Sequence, residues 1–276
     1  MTLEEDRVYD DQTGKVDVLV ACDAGVVSVA VSGDRVGRFG MVHRSVARDV
    51  ATAGDRLAVA TDEDVLDDEF EPTGFGPAVA VAVDDDRVVA AGEDGRVARR
   101  DAGDEEWTDL GRVEEVRGID GSLVAAADGV YRIEGDELRH AGLTDVRDVS
   151  ARGVPLAATG DGLYKLGNGW MDVLPGAFDA VSVAADGRAL AAGERGVVAR
   201  GRADGDWVDS PVPVDERVVG VAHAPGVAVA VTEAGTLLLD DGEGRRPSGS
   251  RTQSDDGEGW RSRALGLRDV SAVAVR

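Results

Sequence analysis

The sequence predicts an all-β fold: one seven-bladed β-propeller of four-stranded blades, with the C-terminal strand closing the first blade. Three observations carry this prediction. A strand–turn–strand template recurs seven times. Its apolar residues follow the period of two that belongs to strands rather than the 3.6 of helices. The chain ends in a segment that supplies a strand missing from the first copy.

The template is an alternating apolar strand, a tight acidic–Gly turn and a second strand. Its copies begin at Leu19, Leu57, Val88, Leu123, Leu156, Leu190 and Val229. The aligned turn positions are Gly25, Asp64, Gly95, Gly129, Gly162, Gly196 and Gly235, separated by 39, 31, 34, 33, 34 and 39 residues. Glycine suits these positions because a two-residue hairpin turn needs φ > 0. Asp64 stands in for glycine in the second copy, and Asp is one of the few other residues expected to tolerate that conformation. Runs of Val, Leu and Ala suit strands buried on both faces.

Another short strand precedes each template strand, as in Ala47–Ala51, Ala78–Val83, Glu115–Ile119, Val146–Ala151, Ala180–Ala184 and Val218–Ala222. A further hairpin follows each turn and often holds an aromatic residue; Trp107, Trp170, Trp207 and Trp260 mark four of them. The unit is thus four strands, A to D, in about 35 residues, the signature of a propeller blade. A β-solenoid is the runner-up, with coils that are usually shorter. The first copy has no strand A of its own. Leu267–Val275 reads like the strand A that begins at Val146, so the C-terminus is expected to close the ring as the innermost strand of blade 1. Residues 242–259, rich in Gly, Ser and charge, read as a flexible loop within the last blade.

The 276 residues carry 54 Asp and Glu against 30 Lys and Arg, a formal charge of −24. Such self-repulsion is screened when the Debye length falls to about 3 Å near 1 M salt. The composition therefore predicts a halophilic, archaeal protein, with an ordinary acidic bacterial protein as the alternative. The first twelve residues have neither the basic nor the apolar region of a secretory signal, so the expected compartment is the cytoplasm. No apolar run approaches the roughly 18 residues of a membrane span. Cys22 is the single cysteine, which forbids an intramolecular disulfide, and it reads as a buried inert thiol. The overall field repels phosphates, which argues against nucleic acid.

Two resemblances add to this reading. Ser254–Trp260, SDDGEGW, resembles an Asp-box, a structural turn lock of sialidase-like propellers. The stretches Gly40–Arg44, Ala47–Val50, Leu57–Val65 and Phe70–Pro77 make the whole chain similar to an uncharacterised haloarchaeal β-propeller family. That resemblance implies the fold and supplies no substrate or reaction.

Catalytic signatures are sparse. The sequence lacks HExxH, a CxxC pair, GxSxG and GxxxxGK[ST]. His43, His140 and His223 have no metal-ligand spacing, and neither a metal nor a cofactor is expected. Each histidine reads as lying just before or within a strand A, where a channel site built from several blades is conceivable, although capping and packing roles fit better. Arg48, Arg117, Arg147 and Arg268 recur at strand A, beside the central channel, and three of them precede Asp49, Asp148 and Asp269. Arginine clusters hold carboxylates, but repetition around the ring favours inter-blade ion pairs. Tyr131 and Tyr164 occupy equivalent strand-C positions and read as packing residues. The B–C turns carry Asp23, Asp62, Asp94, Asp128, Asp161, Glu194 and Glu233, which predicts an acidic rim on one face, explained first by turn chemistry and solvation.

The connections Phe39–Val46 and Phe70–Pro77 depart most from the repeat. Loops that the blade itself does not explain often carry function, so Phe39, His43, Arg44, Phe70 and Phe75 join Arg48, Arg117, Arg147 and Arg268 as candidate binding residues; plugging a thin blade 2 is the plainer reading of the two connections. The favoured function is a non-enzymatic binding or scaffold propeller, a monomer presenting one face to a protein partner. The rival is a hydrolase or lyase with a polar site at the channel mouth.

Overall fold

The computed structural model describes residues 15–84, 86–241 and 259–276. Blade 1 contains β1 (Lys15–Cys22), β2 (Gly25–Ser32) and β3 (Arg35–His43); blade 2 contains β4 (Ala47–Ala53), β5 (Arg56–Thr61) and β6 (Val65–Leu66). Blade 3 contains β7 (Ala78–Val83), β8 (Arg87–Gly92), β9 (Arg96–Asp101) and β10 (Thr108–Arg112). Blade 4 contains β11 (Val116–Asp120), β12 (Leu123–Ala126), β13 (Gly129–Glu134) and β14 (Glu137–His140). Blade 5 contains β15 (Val146–Ser150), β16 (Leu156–Thr159), β17 (Gly162–Leu166) and β18 (Trp170–Pro175). Blade 6 contains β19 (Phe178–Val183), β20 (Ala189–Gly193), β21 (Gly196–Arg200) and β22 (Trp207–Asp209). Blade 7 contains β23 (Val218–Ala224), β24 (Val227–Thr232), β25 (Thr236–Asp240) and β26 (Arg261–Ala264), and β27 (Val270–Val275) returns to blade 1.

All strand pairs are antiparallel, and β27 pairs with β1, with Val18 opposite Val275 and Cys22 opposite Val270. The ring is therefore closed by its C-terminal strand, as the repeat count predicts. Closure is reinforced between blades: Ser271 Oγ donates to the Ala47 carbonyl at 3.2 Å, and Thr52 Oγ1 donates to the Val275 carbonyl at 2.7 Å.

The core is not one mass but seven apolar clusters, one in each seam between blades. Alternate residues of a single strand serve two seams. Val18, Val20 and Cys22 pack towards blade 7, whereas Leu19 and Ala21 pack towards blade 2. That double burial is why the strands read as continuous apolar runs. Four tryptophans span seams as well. Trp107 Nε1 donates to the Thr73 carbonyl, Trp170 Nε1 to the Ala141 carbonyl and Trp260 Nε1 to Ser210 Oγ, while Trp207 packs in the seam between blades 5 and 6.

Blade 2 has three strands where the repeat predicts four. Asp64 explains the difference. It does not take the left-handed conformation expected of a glycine substitute. Instead its carboxylate accepts the N–H groups of Val65 (2.7 Å), Phe75 (3.0 Å), Gly74 (3.1 Å) and Gly76 (3.3 Å) and the Thr73 hydroxyl (3.4 Å). The loop that replaces strand D is thus wrapped around one acidic side chain.

The expected flexible loop at 242–259 and the Asp-box-like stretch at 254–260 lie, apart from Gly259 and Trp260, outside the described residues. Among the described residues no helix is long and apolar enough to cross a membrane.

Candidate functional site

Every innermost strand contains a β-bulge at its second residue: Arg48, Val79, Arg117, Arg147, Asp179, Val219 and Ser271. A bulge leaves one residue out of the ladder and re-aims its side chain. These positions surround the end of the central channel where the D–A connections and B–C turns meet, here called the upper face. The channel has a volume of about 1140 Å³.

Blades 4 to 7 build a continuous ion-pair network around this mouth. Arg117 binds Asp145 at 2.6 Å, and Arg147 binds Asp145 at 3.5 Å and Asp179 at 2.8 Å. Arg217 then reaches Asp179 at 3.2 Å. The hydrogen bond from Arg117 holds the Asp145 carboxyl below the usual carboxylate range, and the hydrogen bond to Asp179 raises Arg217. The network joins Arg117 and Arg147, as the repeat suggested, but their partners are not the aspartates that follow the arginines in sequence. The sequence reading missed Asp179 and Arg217, although Asp179 occupies the same strand-A position as Arg147 and an alignment of bulges would have found it.

Arg48 does not line the channel and pairs with Glu93 across the seam between blades 2 and 3. Arg268 does not stand at a strand-A position. The bulge sets Val270, not Leu267, at the start of the closing strand, so the likeness to Val146–Ala151 is displaced by three residues. Arg268 is exposed in the connection before β27 and makes no ion pair among the described residues.

Deeper in the channel, Asp49 and Asp148 occupy the third position of their strands. Asp49 accepts the N–H of Val50 (2.8 Å) and, across the seam, that of Val81 (2.9 Å). Asp148 accepts the N–H of Val149 (2.8 Å) and that of Val181 (2.7 Å). Desolvation raises the Asp49 carboxyl to about 6 and Asp148 to about 8, against the opposing effect of their N–H donors. Asp120 and Ser150 make similar stitches lower down: Asp120 accepts the Ala151 N–H (2.7 Å), and Ser150 Oγ accepts the Val183 N–H (3.2 Å). Of the three histidines only His223 lines the channel. Its Nδ1 lies 3.2 Å from Ser182 Oγ, and burial lowers it to about 4. His43 and His140 end strands D instead, far from strand A in register.

A second concavity opens on the upper face at the seam between blades 1 and 2. It has a volume of about 710 Å³ and is lined by His43, Arg44 and Phe70 together with Asp23, Asp62 and Glu63. The His43 and Phe70 rings stack at 5.1 Å with 7° between their planes. Phe70 takes φ 62°, so the Asp64-anchored loop presents it in a left-handed backbone that non-glycine residues rarely adopt. The other two aromatic candidates are elsewhere. Phe39 is exposed on the outer strand of blade 1, with the Arg263 guanidinium 6.0 Å from its ring centre. Phe75 is a core residue, edge-on to Trp107 at 4.8 Å.

Much of the acidic rim is consumed by turn chemistry. Asp94 binds Arg112 at 2.9 Å, and Asp161 accepts from Thr159 at 2.6 Å. Asp128 accepts the Tyr131 hydroxyl at 2.6 Å, which pushes that phenol up to about 12. Asp23, Asp62 and Glu63 make no ion pair among the described residues, and all three face the cleft. Among the described residues no group of three His, Cys, Asp or Glu side chains could hold a metal ion.

Comparison with known proteins agrees with this architecture. The WD40 β-propeller domain of Doa1 superposes with a TM-score of 0.63 at 14% identity, covering 83% of this chain and 86% of that one. The computationally designed Ika8 protein superposes with a TM-score of 0.56, also at 14% identity, covering 83% and 85%. At such identities the likeness concerns the fold alone. No curated protein matches in sequence. A family model described as Beta-prop_HVO_0234-like, β-propeller, matches residues 2–276, and with almost the whole chain inside that match the protein belongs to this β-propeller family.

Proposed function

We propose that the protein is a non-enzymatic binding platform, a monomer that presents its upper face to a protein partner, with the cleft between blades 1 and 2 as the docking point. One observation carries this reading. The two connections that depart most from the repeat, at Phe39–Val46 and Phe70–Pro77, bring His43, Arg44 and Phe70 into one cleft beside Asp23, Asp62 and Glu63, carboxylates without ion-pair partners among the described residues. Stacked rings under a carboxylate wall suit a partner's basic side chain, which gains both charge pairing and ring contact. Arg44 at the rim suits an acidic neighbour on the same partner.

The test is capture from a lysate at matched molar salt, with His43→Ala, Arg44→Ala and Phe70→Ala combined as the control. Phe75→Ala is unsuitable because Phe75 is buried. A defined partner retained by the wild type and lost from a folded triple variant supports the platform. A partner bound equally by both refutes the cleft as its site.

The rival reading, a hydrolase or lyase at the channel mouth, draws on the proximity of Arg117 and Arg147 around Asp145. His43, which that reading enlisted, lies in the other cleft, and Arg48 is paired with Glu93 across the seam between blades 2 and 3. Turnover of an ester or glycan abolished by Arg147→Ala, with no partner captured, would favour the enzyme.

A further inference from the structure

The cleft between blades 1 and 2 is held to a fixed shape, and it contains more acceptors than the fold itself uses. Its connection Arg44–Val46 is clamped from both sides. The Val46 carbonyl accepts the Asp62 N–H at 3.1 Å, and a Cβ at Gly25 would run into the His43 carbonyl. In the blade 2 turn, Thr61 Oγ1 accepts the N–H groups of Glu63 (3.2 Å) and Asp64 (3.0 Å) and donates to the Asp64 carbonyl (2.7 Å). That hydroxyl takes the role a carboxylate has in the blade 3 turn, where Asp94 accepts the Arg96 N–H at 3.0 Å and pairs with Arg112. The carboxylates of Asp62 and Glu63, like that of Asp23 in the blade 1 turn, are left without a hydrogen-bond or ion-pair partner among the described residues.

Ser45 is an independent sign of a missing partner. It lines the same cleft, and its Oγ is buried with no hydrogen-bond partner among the described residues. Buried hydroxyls ordinarily have one.

Resting on the platform reading above, we propose that the cleft recognises an arginine, not a lysine, exposed on the protein partner: the guanidinium stacks on the His43–Phe70 pair, binds the carboxylates of the two turns and donates to Ser45 Oγ.

Planarity selects between the two basic side chains. The His43 and Phe70 rings are parallel to within 7°, a flat stack that a third planar group extends. A guanidinium is planar, weakly hydrated and carries its N–H donors in a rigid fork, so it can stack and reach several in-plane acceptors at once. An ammonium is a compact, strongly hydrated point charge with no face to stack. The sign of the cleft is set by Asp23, Asp62 and Glu63 against the single guanidinium of Arg44. Charge alone would attract either side chain. In molar salt the Debye length falls to about 3 Å, which weakens charge pairing at an exposed site but not ring contact. The preference for arginine should therefore widen as salt rises.

The test titrates the full chain with two end-capped pentapeptides, Gly-Gly-Arg-Gly-Gly and Gly-Gly-Lys-Gly-Gly, at constant pH in 1 M and 3 M KCl. The readout is the imidazole NMR resonances; of the three histidines only His43 lines the cleft, so His140 and His223 are internal controls. The arginine peptide should move His43 saturably and leave the other two in place. The lysine peptide should bind about fivefold more weakly in 1 M KCl, the ratio a ring contact supplies, and the gap should grow at 3 M. Phe70→Leu should bring the two peptides level; Leu143 already takes φ 64° in this fold, so leucine is compatible with the Phe70 backbone. Ser45→Ala should weaken the arginine peptide about fivefold while leaving the unfolding midpoint unchanged or higher, because it removes a buried hydroxyl that has no partner. Equal binding of the two peptides, or movement of His43 by neither, overturns the proposal. So does an arginine preference that survives Phe70→Leu, or undiminished arginine binding by Ser45→Ala. Partner capture that still depends on His43, Arg44 and Phe70 would then leave the platform standing without its arginine, whereas capture independent of them refutes the platform itself.

Discussion

Replacing Asp64 with Ala should destabilise the protein by about 3 kcal/mol. The side chain accepts four backbone N–H groups and one hydroxyl, at 2.7 to 3.4 Å. Hydrogen bonds to a charged group contribute about 1.5–3 kcal/mol each, but they are not additive, and water can replace the exposed ones. Gly74 is exposed and its N–H recovers a water partner, whereas Val65 and Phe75 are buried and theirs do not. Two unsatisfied buried donors at about 1–3 kcal/mol each lead to the figure above. If the freed loop also withdraws Phe75 from Trp107, burial worth up to about 2–3 kcal/mol is lost as well. Asp64→Asn retains one acceptor oxygen and should cost about half as much. Denaturant unfolding in constant 3 M KCl gives both values. Because Phe70 rides on the same loop, Asp64→Ala should also weaken whatever the cleft binds. A loss below about 0.5 kcal/mol, the range of ordinary surface substitutions, would refute the view that this carboxylate organises the loop.

Deleting residues 267–276 removes β27, leaves β1 as an unpaired inner edge and should abolish the cooperative unfolding transition, seen by calorimetry. The melting temperature should climb between 0.1 and 3 M KCl, because the −24 charge is then screened; a flat response would remove the halophilic reading. His223, lowered by burial to about 4 from 6.5, should make the protein less stable as pH falls from 6.5 to 4, because the unfolded chain takes up the proton first. The loss amounts to at most about 3 kcal/mol, and His223→Gln should flatten that limb of a pH titration of unfolding midpoints.

The sequence by itself determined the blade number, the antiparallel hairpins and the closure by the C-terminus. These rest on local chemistry: period-two apolar runs, and glycine where the turn requires positive φ, as at Gly95 and Gly235. It also marked the two aberrant connections, and His43, Arg44 and Phe70 from them do share a cleft. Only the tertiary structure decided which charges meet. Asp145, Asp179 and Arg217 complete the channel mouth from three blades, and nothing in their spacing announces that Arg147 would bind Asp145 and Asp179 rather than Asp148. The bulge in each inner strand shifts side chains by one residue against any count made from the turns. That shift, together with a start at Val270, takes Arg268 off the rim, while Asp49 and Asp148 point into the seams. Asp64 looked like a substitute for glycine because its partners lie up to 12 residues downstream. Phe75 looked like part of a binding loop because its burial depends on Trp107 of the next blade. A repeat fixes what each blade does for itself; the site is made where blades touch, and those contacts depend on bulge geometry and side-chain reach that a linear period does not encode.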